Sequence, residues 1–122
     1  MIQKKLVSES KLACRVIRNI VDSACKTNED YIIDGVQSLP QFLPLNKIHY
    51  CIITVSDSIE HKKRFEHPTK TRGSHLNNAT IDTVRIIQDF IIKEAEKYKI
   101  PIFDNLSSLN ETSAKITRYF RL

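Results

Sequence analysis

From Leu6 to Lys26 apolar residues recur at three- and four-residue steps. Leu12, Ala13, Val16, Ile17, Ile20, Val21 and Ala24 form one stripe, and Arg15, Arg18, Asn19 and Asp22 fall opposite. That period predicts an amphipathic helix. Thr27–Asp30 breaks it. Tyr31-Ile32-Ile33 is then a short apolar run ending in Asp34-Gly35, which reads as a buried strand entering a turn. Pro40 and Pro44 each lack an N–H donor, so residues 37–46 are expected to be irregular. Ile48–Val55 is almost wholly apolar and suits a strand covered on both faces.

Asp57, with Glu60 three residues on, has the form of a capping box opening a helix. That helix is expected to run to about Glu66, because Pro68 disfavours helical backbone at His67. Thr69–Asn78 is polar, contains Gly73, and reads as a loop. Ile81, Val84, Ile87, Ile91, Ala95 and Tyr98 share one face of a long helix from about Ile81 to Lys99, stopped by Pro101. Ile100–Asp104 predicts a further strand. Ser108 and Glu111 form a second capping box, before a helix with Ile116, Tyr119 and Phe120 on its apolar side. Strands alternating with helices predict an α/β fold, with a short parallel sheet flanked by helices. No repeat or linker divides the chain, so residues 1–122 are expected to form one domain.

Composition narrows the functional classes. Hydrophobic residues make up 41% of the 122 and charged residues 27%, a globular balance. No apolar run approaches the roughly 20 residues a membrane span needs. The N-terminus turns polar at Ser8–Lys11 and carries no signal-peptide core, so a cytoplasmic location is expected. Cys14, Cys25 and Cys51 are odd in number and widely spaced, which argues against a disulfide framework or zinc ribbon and for reduced thiols. The net charge of +5 favours anionic partners. A nucleic-acid reading has only that charge behind it, since aromatic–basic interleaving and a helix-turn-helix pattern are both missing. Gly35 and Gly73 are the only glycines, and neither precedes Lys-Ser or Lys-Thr. A glycine-rich phosphate loop and a dinucleotide fingerprint are therefore excluded from this chain.

Several polar residues fall where ligands bind in parallel sheets, beyond the carboxyl ends of strands. Asp34 there suits magnesium or a proton, though capping of the Gly35 turn explains it equally well. Asp57 is accounted for by helix capping. Asp104 and Asn105 end the last strand and suit either a ligand or a turn. Arg64, Arg72 and Arg85 bracket the polar loop. Guanidinium forks match phosphoryl oxygens, and a solvated basic surface is the alternative. His49, His61, His67 and His75 lack metal-ligand spacing. Neither a nucleophile elbow nor a Cys–His signature is present.

Four segments in register resemble one family. Tyr31–Pro40 (YIIDGVQSLP), Val55–Phe65 (VSDSIEHKKRF), Val84–Phe90 (VRIIQDF) and Pro101–Asn105 (PIFDN) are similar to motifs of archaeal 2-phosphoglycerate kinases and their plant P-loop relatives. The resemblance implies part of a three-layer P-loop kinase-like fold, with a lid. It implies ATP, magnesium and a phosphoglycerate-like acceptor. By position, Asp34 becomes the catalytic and metal-holding acid of a Walker B-like strand. His61, Arg64, Arg72 and Arg85 become phosphate-binding residues of the lid region, and Asp104 and Asn105 lie near the nucleotide base. The family's kinase domain opens with a strand, a P-loop and a helix, and this chain resembles the part of the domain beyond them. The family's glutamate is Asp34 here, its histidine is Gln37, and the arginine expected after Arg64-Phe65 is replaced by Pro68. These departures imply a chain inactive alone, with ATP and magnesium not held tightly. The alternative is a non-catalytic anion- or nucleotide-binding module acting through a protein partner. A homo-oligomer or partner complex is expected, because a sheet short of strands exposes edges and apolar surface.

Overall fold

The computed structural model describes residues 2–66 and 78–122. Helix α1 (Ile2–Thr27) leads into an irregular stretch and two single 3₁₀ turns, Pro40–Phe42 and Leu45–Lys47. Beyond them come strand β1 (Ile52–Thr54), α2 (Ser58–Phe65), α3 (Asn78–Lys97), β2 (Ile102–Asp104) and α4 (Leu109–Phe120). Among the described residues this is an α/β arrangement of four helices around a two-stranded parallel sheet. It is compatible with part of a kinase-like fold.

The two capping boxes open helices as expected. The Asp57 carboxylate accepts from the Glu60 N–H at 2.9 Å, and the Ser108 hydroxyl accepts from the Glu111 N–H at 3.1 Å. The other helix ends are less usual. Asn28, Lys99 and Arg121 all have φ near +57°. After them, Glu29, Ile100 and Leu122 donate back to the carbonyls of Ala24, Ala95 and Thr117. These are Schellman closures, normally built on glycine. This glycine-poor chain builds them from residues that carry the left-handed steric cost.

Strands β1 and β2 pair in register, Ile52 with Ile102 and Thr54 with Asp104. The ladder closes with Ile52 N–H to Pro101 C=O at 3.0 Å and Asn105 N–H to Thr54 C=O at 2.7 Å. Helix α3 packs on α1 and β1, and α4 packs on β2. Phe103 meets Tyr119 edge-on, 5.7 Å between ring centres.

Three expectations need correction. The strand expected over Ile48–Val55 and covered on both faces is only Ile52–Thr54, and Ile53 is 55% exposed. The strand predicted at Tyr31–Ile33 is absent. Residues 29–35 carry no regular structure, and Ile32 is 100% exposed. Apolar composition makes a strand only where a second strand offers its edge, and among the described residues none pairs here. The chain regains order at Gln37, where the buried Ser10 hydroxyl donates to the Gln37 carbonyl and accepts from the Leu39 N–H at 3.2 Å. Arg18 adds a 2.8 Å bond to the Phe42 carbonyl, and the Tyr50 hydroxyl donates to the Ser38 carbonyl.

The apolar stripe of α1 is covered only in part: Val21 is buried and Ala13, Ile17, Ile20 and Ala24 are half-buried. The buried line is Leu6, Ser10, Cys14 and Val21, while Leu12 and Val16 are exposed. Among the described residues the buried apolar core is small: Leu6, Cys14, Val21, Leu39, Ile81 and Ala95. Of the thiols, Cys14 is buried, Cys51 half-buried and Cys25 exposed. No described helix is long and apolar enough to cross a membrane.

Candidate functional site

The parallel ladder brings the carboxyl ends of β1 and β2 side by side, and polar side chains from α2 and α3 close over them. Among the described residues Val55 continues β1 without a neighbouring strand on its outer side. The Gln88 side chain fills that place, donating to the Val55 carbonyl at 3.1 Å and accepting its N–H at 3.0 Å. One side-chain amide thus satisfies both backbone groups, as a strand would. Arg85, one turn earlier on α3, donates to the carbonyls of Val55 at 2.5 Å and Ser56 at 3.0 Å.

Arg64, near the end of α2, reaches the other strand. It donates to the Asn105 carbonyl, to the Leu106 carbonyl at 3.2 Å and to the Glu60 carboxylate at 2.9 Å. Asp104 accepts the Ser56 N–H at 3.0 Å, and the Asn105 side-chain oxygen accepts from the buried Thr112 hydroxyl at 2.7 Å. The two arginines therefore tie the turn after each strand to a helix.

His61 sits between them, with its Nδ1 3.2 Å from Arg85 Nη1. A guanidinium has no acceptor, so Nδ1 accepts and the neutral ring carries its proton on Nε2. Burial first, then the charges of Arg85 and Arg64, push the imidazole below the ordinary histidine range. Beside this cluster, α2 and α3 enclose an open cleft of about 420 Å³ lined by Ser58, Ile59, Lys62, Ile81, Asp82 and Arg85.

Of the residues singled out by sequence, His61, Arg64, Arg85, Asp104 and Asn105 are brought together. Asp34 is not. It is exposed in the irregular stretch and bonds to none of them. Arg72 lies outside the described residues. Sequence reasoning missed Gln88. The available signal was its place one turn after Arg85, on the face of α3 that also carries the buried Ile81 and Ala95.

Among the described residues no three His, Cys, Asp or Glu side chains converge, and one Asp104 oxygen accepts the Ser56 N–H. The cluster is instead cationic, and it suits an anion whose oxygens take guanidinium and ammonium protons.

No family model and no solved structure matches the chain. Three curated proteins do, and each is a 2-phosphoglycerate kinase. That of Methanopyrus kandleri is 25% identical over 114 residues, spanning 84% of this chain and 34% of its own length. That of Pyrococcus horikoshii is 27% identical over 104 residues, spanning 82% of this chain and 34% of the relative. That of Pyrococcus furiosus is 26% identical over 94 residues, 74% of this chain and 31% of the relative. Over most of its own length, then, this chain is similar to archaeal 2-phosphoglycerate kinases, and it spans about a third of theirs.

Proposed function

We propose that this chain is the phosphate-recognising part of a 2-phosphoglycerate kinase-like phosphotransferase, and that alone it binds a phosphorylated ligand without turning it over. The observation that carries this reading is the convergence of His61, Arg64 and Arg85 beside the cleft between α2 and α3, in a chain similar to proteins of that name. The cleft wall offers Lys62 and Arg85 to an anion, and Asp82 opposes them. Arg85 uses part of its fork on the carbonyls of Val55 and Ser56, which fixes the guanidinium where a ligand meets it. A phosphate there takes remaining N–H groups rather than a glycine-rich cradle. Charged hydrogen bonds of this kind contribute roughly 1.5–3 kcal/mol each when shielded and far less in solvent. Binding is accordingly expected between high micromolar and millimolar. Turnover is not expected, because the sequence offers no phosphate loop.

The test is a titration of the pure chain with 2-phosphoglycerate, ATP and sulfate, monitored by backbone amide shifts. Shifts should cluster at Ser58–Lys62 and Arg85, fade with salt, and weaken in Lys62→Ala. A coupled assay with magnesium, ATP and 2-phosphoglycerate should give no product. Shifts spread over every surface lysine would reduce the cluster to a solvated basic face. Magnesium-dependent turnover would overturn the inactive reading.

A further inference from the structure

The cleft between α2 and α3 is lined by more than a phosphate needs. Lys62 and Arg85 supply cationic donors, Ile59 and Ile81 supply apolar surface, and Asp82 is the one acid in that lining. Asp82 and Arg85 stand three residues apart on α3, which makes them neighbours on one helix face. Among the described residues they nonetheless form no ion pair. The guanidinium is turned onto the carbonyls of Val55 and Ser56 and onto His61 Nδ1. Those three bonds leave two of the five guanidinium N–H groups for a ligand. The exposed Asp82 carboxylate accepts no hydrogen bond among the described residues. A carboxylate only accepts, so beside an anion site it repels a bare oxyanion and attracts a ligand with an O–H donor near its phosphate. Ile59 and Ile81 give the intervening carbon atoms an apolar wall.

We propose that Asp82 is a specificity-determining residue: its carboxylate accepts a hydroxyl of the phosphorylated ligand, and so selects phosphorylated hydroxy compounds over inorganic oxyanions and over phosphate esters with no hydroxyl. This rests on the phosphate reading above and adds which ligands the cleft rejects. The selection comes from attraction and repulsion together. A ligand that lacks the hydroxyl loses the hydrogen bond and keeps the repulsion between its phosphate and the carboxylate. The cleft is open, so water replaces part of the lost bond and limits the preference to about three- to tenfold.

The experiment compares 2-phosphoglycerate with 2-phospholactate, which has the same phosphate, carboxylate and carbon frame and a methyl group in place of the hydroxymethyl. Both are titrated into the full chain at fixed salt and pH, with sulfate as a third ligand, and followed by backbone amide shifts. The unaltered chain should bind 2-phosphoglycerate about three- to tenfold more tightly than 2-phospholactate. In Asp82→Ala that ratio should fall to about one, and 2-phospholactate and sulfate should each bind about twofold more tightly than before, the repulsion having gone. Alanine favours a helix more than aspartate does, so far-ultraviolet circular dichroism should not change. Asp82→Asn keeps the shape without the charge, and its ratio should fall between the other two. Equal affinities in the unaltered chain, with shifts still clustered at Ser58–Lys62 and Arg85, would overturn the role of Asp82 and leave the phosphate site standing. A preference that survives undiminished in both variants overturns it as well. If none of the three ligands shifts the cluster, the site and its selectivity fall together.

Discussion

Of the four Ile-Ile dipeptides, those at 86–87 and 91–92 lie in α3, while those at 32–33 and 52–53 each follow an irregular approach. At 52–53 the dipeptide is in a strand. At 32–33 it has no regular structure and stands in solvent. Local propensity is the same, so what separates the two is the supply of partners. Ile52–Thr54 has β2 on one side, and at its end Gln88 stands in for a strand on the other. The turns beyond it are fastened by Arg64, Arg85 and Asp104. Tyr31–Ile33 has no such neighbour among the described residues. A sheet segment is a relation between two stretches of chain, and sequence read one window at a time cannot see the second.

The comparison can be broken from its ordered side. Arg85→Met keeps the apolar stem and removes the bonds to the Val55 and Ser56 carbonyls. It should cost roughly 2–4 kcal/mol, read as a lower urea midpoint. An unchanged midpoint would mean that the fork is idle. Ser10→Ala attacks the point where order resumes after the exposed segment. It strands the buried Leu39 N–H and leaves the Gln37 carbonyl only the weak Cys14 thiol at 3.5 Å, and should cost about 1–3 kcal/mol. Hydrogen exchange should then quicken at Leu39 before it quickens in β1, and uniform quickening would contradict the local role.

Smaller effects sharpen the picture. Lys99 closes α3 in the left-handed conformation with no glycine to relieve it. Lys99→Gly should raise stability by about 0.5–1 kcal/mol, the steric relief exceeding the added freedom of the unfolded chain. A loss would mean that the lysine side chain contributes more than its backbone costs. The smallest effect concerns pH. Because His61 titrates lower in the folded chain than in the unfolded one, its contribution is complete above the ordinary histidine range. It is lost as pH falls through that range toward the folded value. His61→Gln should flatten this acid-side decline, and a decline of the same steepness in the variant would place its origin elsewhere.

Much of the frame is legible in the sequence alone. Both capping boxes, the approximate span of α1 and α3, and two of the three expected strands with their parallel sense, though shorter than expected, come from period and turn chemistry. The nearness of Asp104 and Asn105 to the end of β1 follows from topology, because residues after parallel strands meet at one end of the sheet, whereas the grouping of His61, Arg64 and Arg85 comes from the resemblance to the kinases and not from period or spacing. Ser10 and Gln88 are not legible in this way. Each is a polar residue on a covered face, and its partner is distant backbone that sequence does not identify. Leu12 and Val16 mislead for the converse reason. An apolar stripe shows which face can be buried, and only the neighbouring elements decide how much of it is.

The central functional claim is that a phosphorylated ligand sits against the His61–Arg64–Arg85 cluster. The most direct measurement is the pH titration of the His61 ring by proton NMR, assigned with His61→Gln, with and without saturating 2-phosphoglycerate. In the free chain the ring should titrate below ordinary histidines, held down by burial and by the two arginines. A bound phosphate offsets those cationic neighbours and should move the midpoint upward. A midpoint that stays in place while the ligand saturates elsewhere would contradict the account.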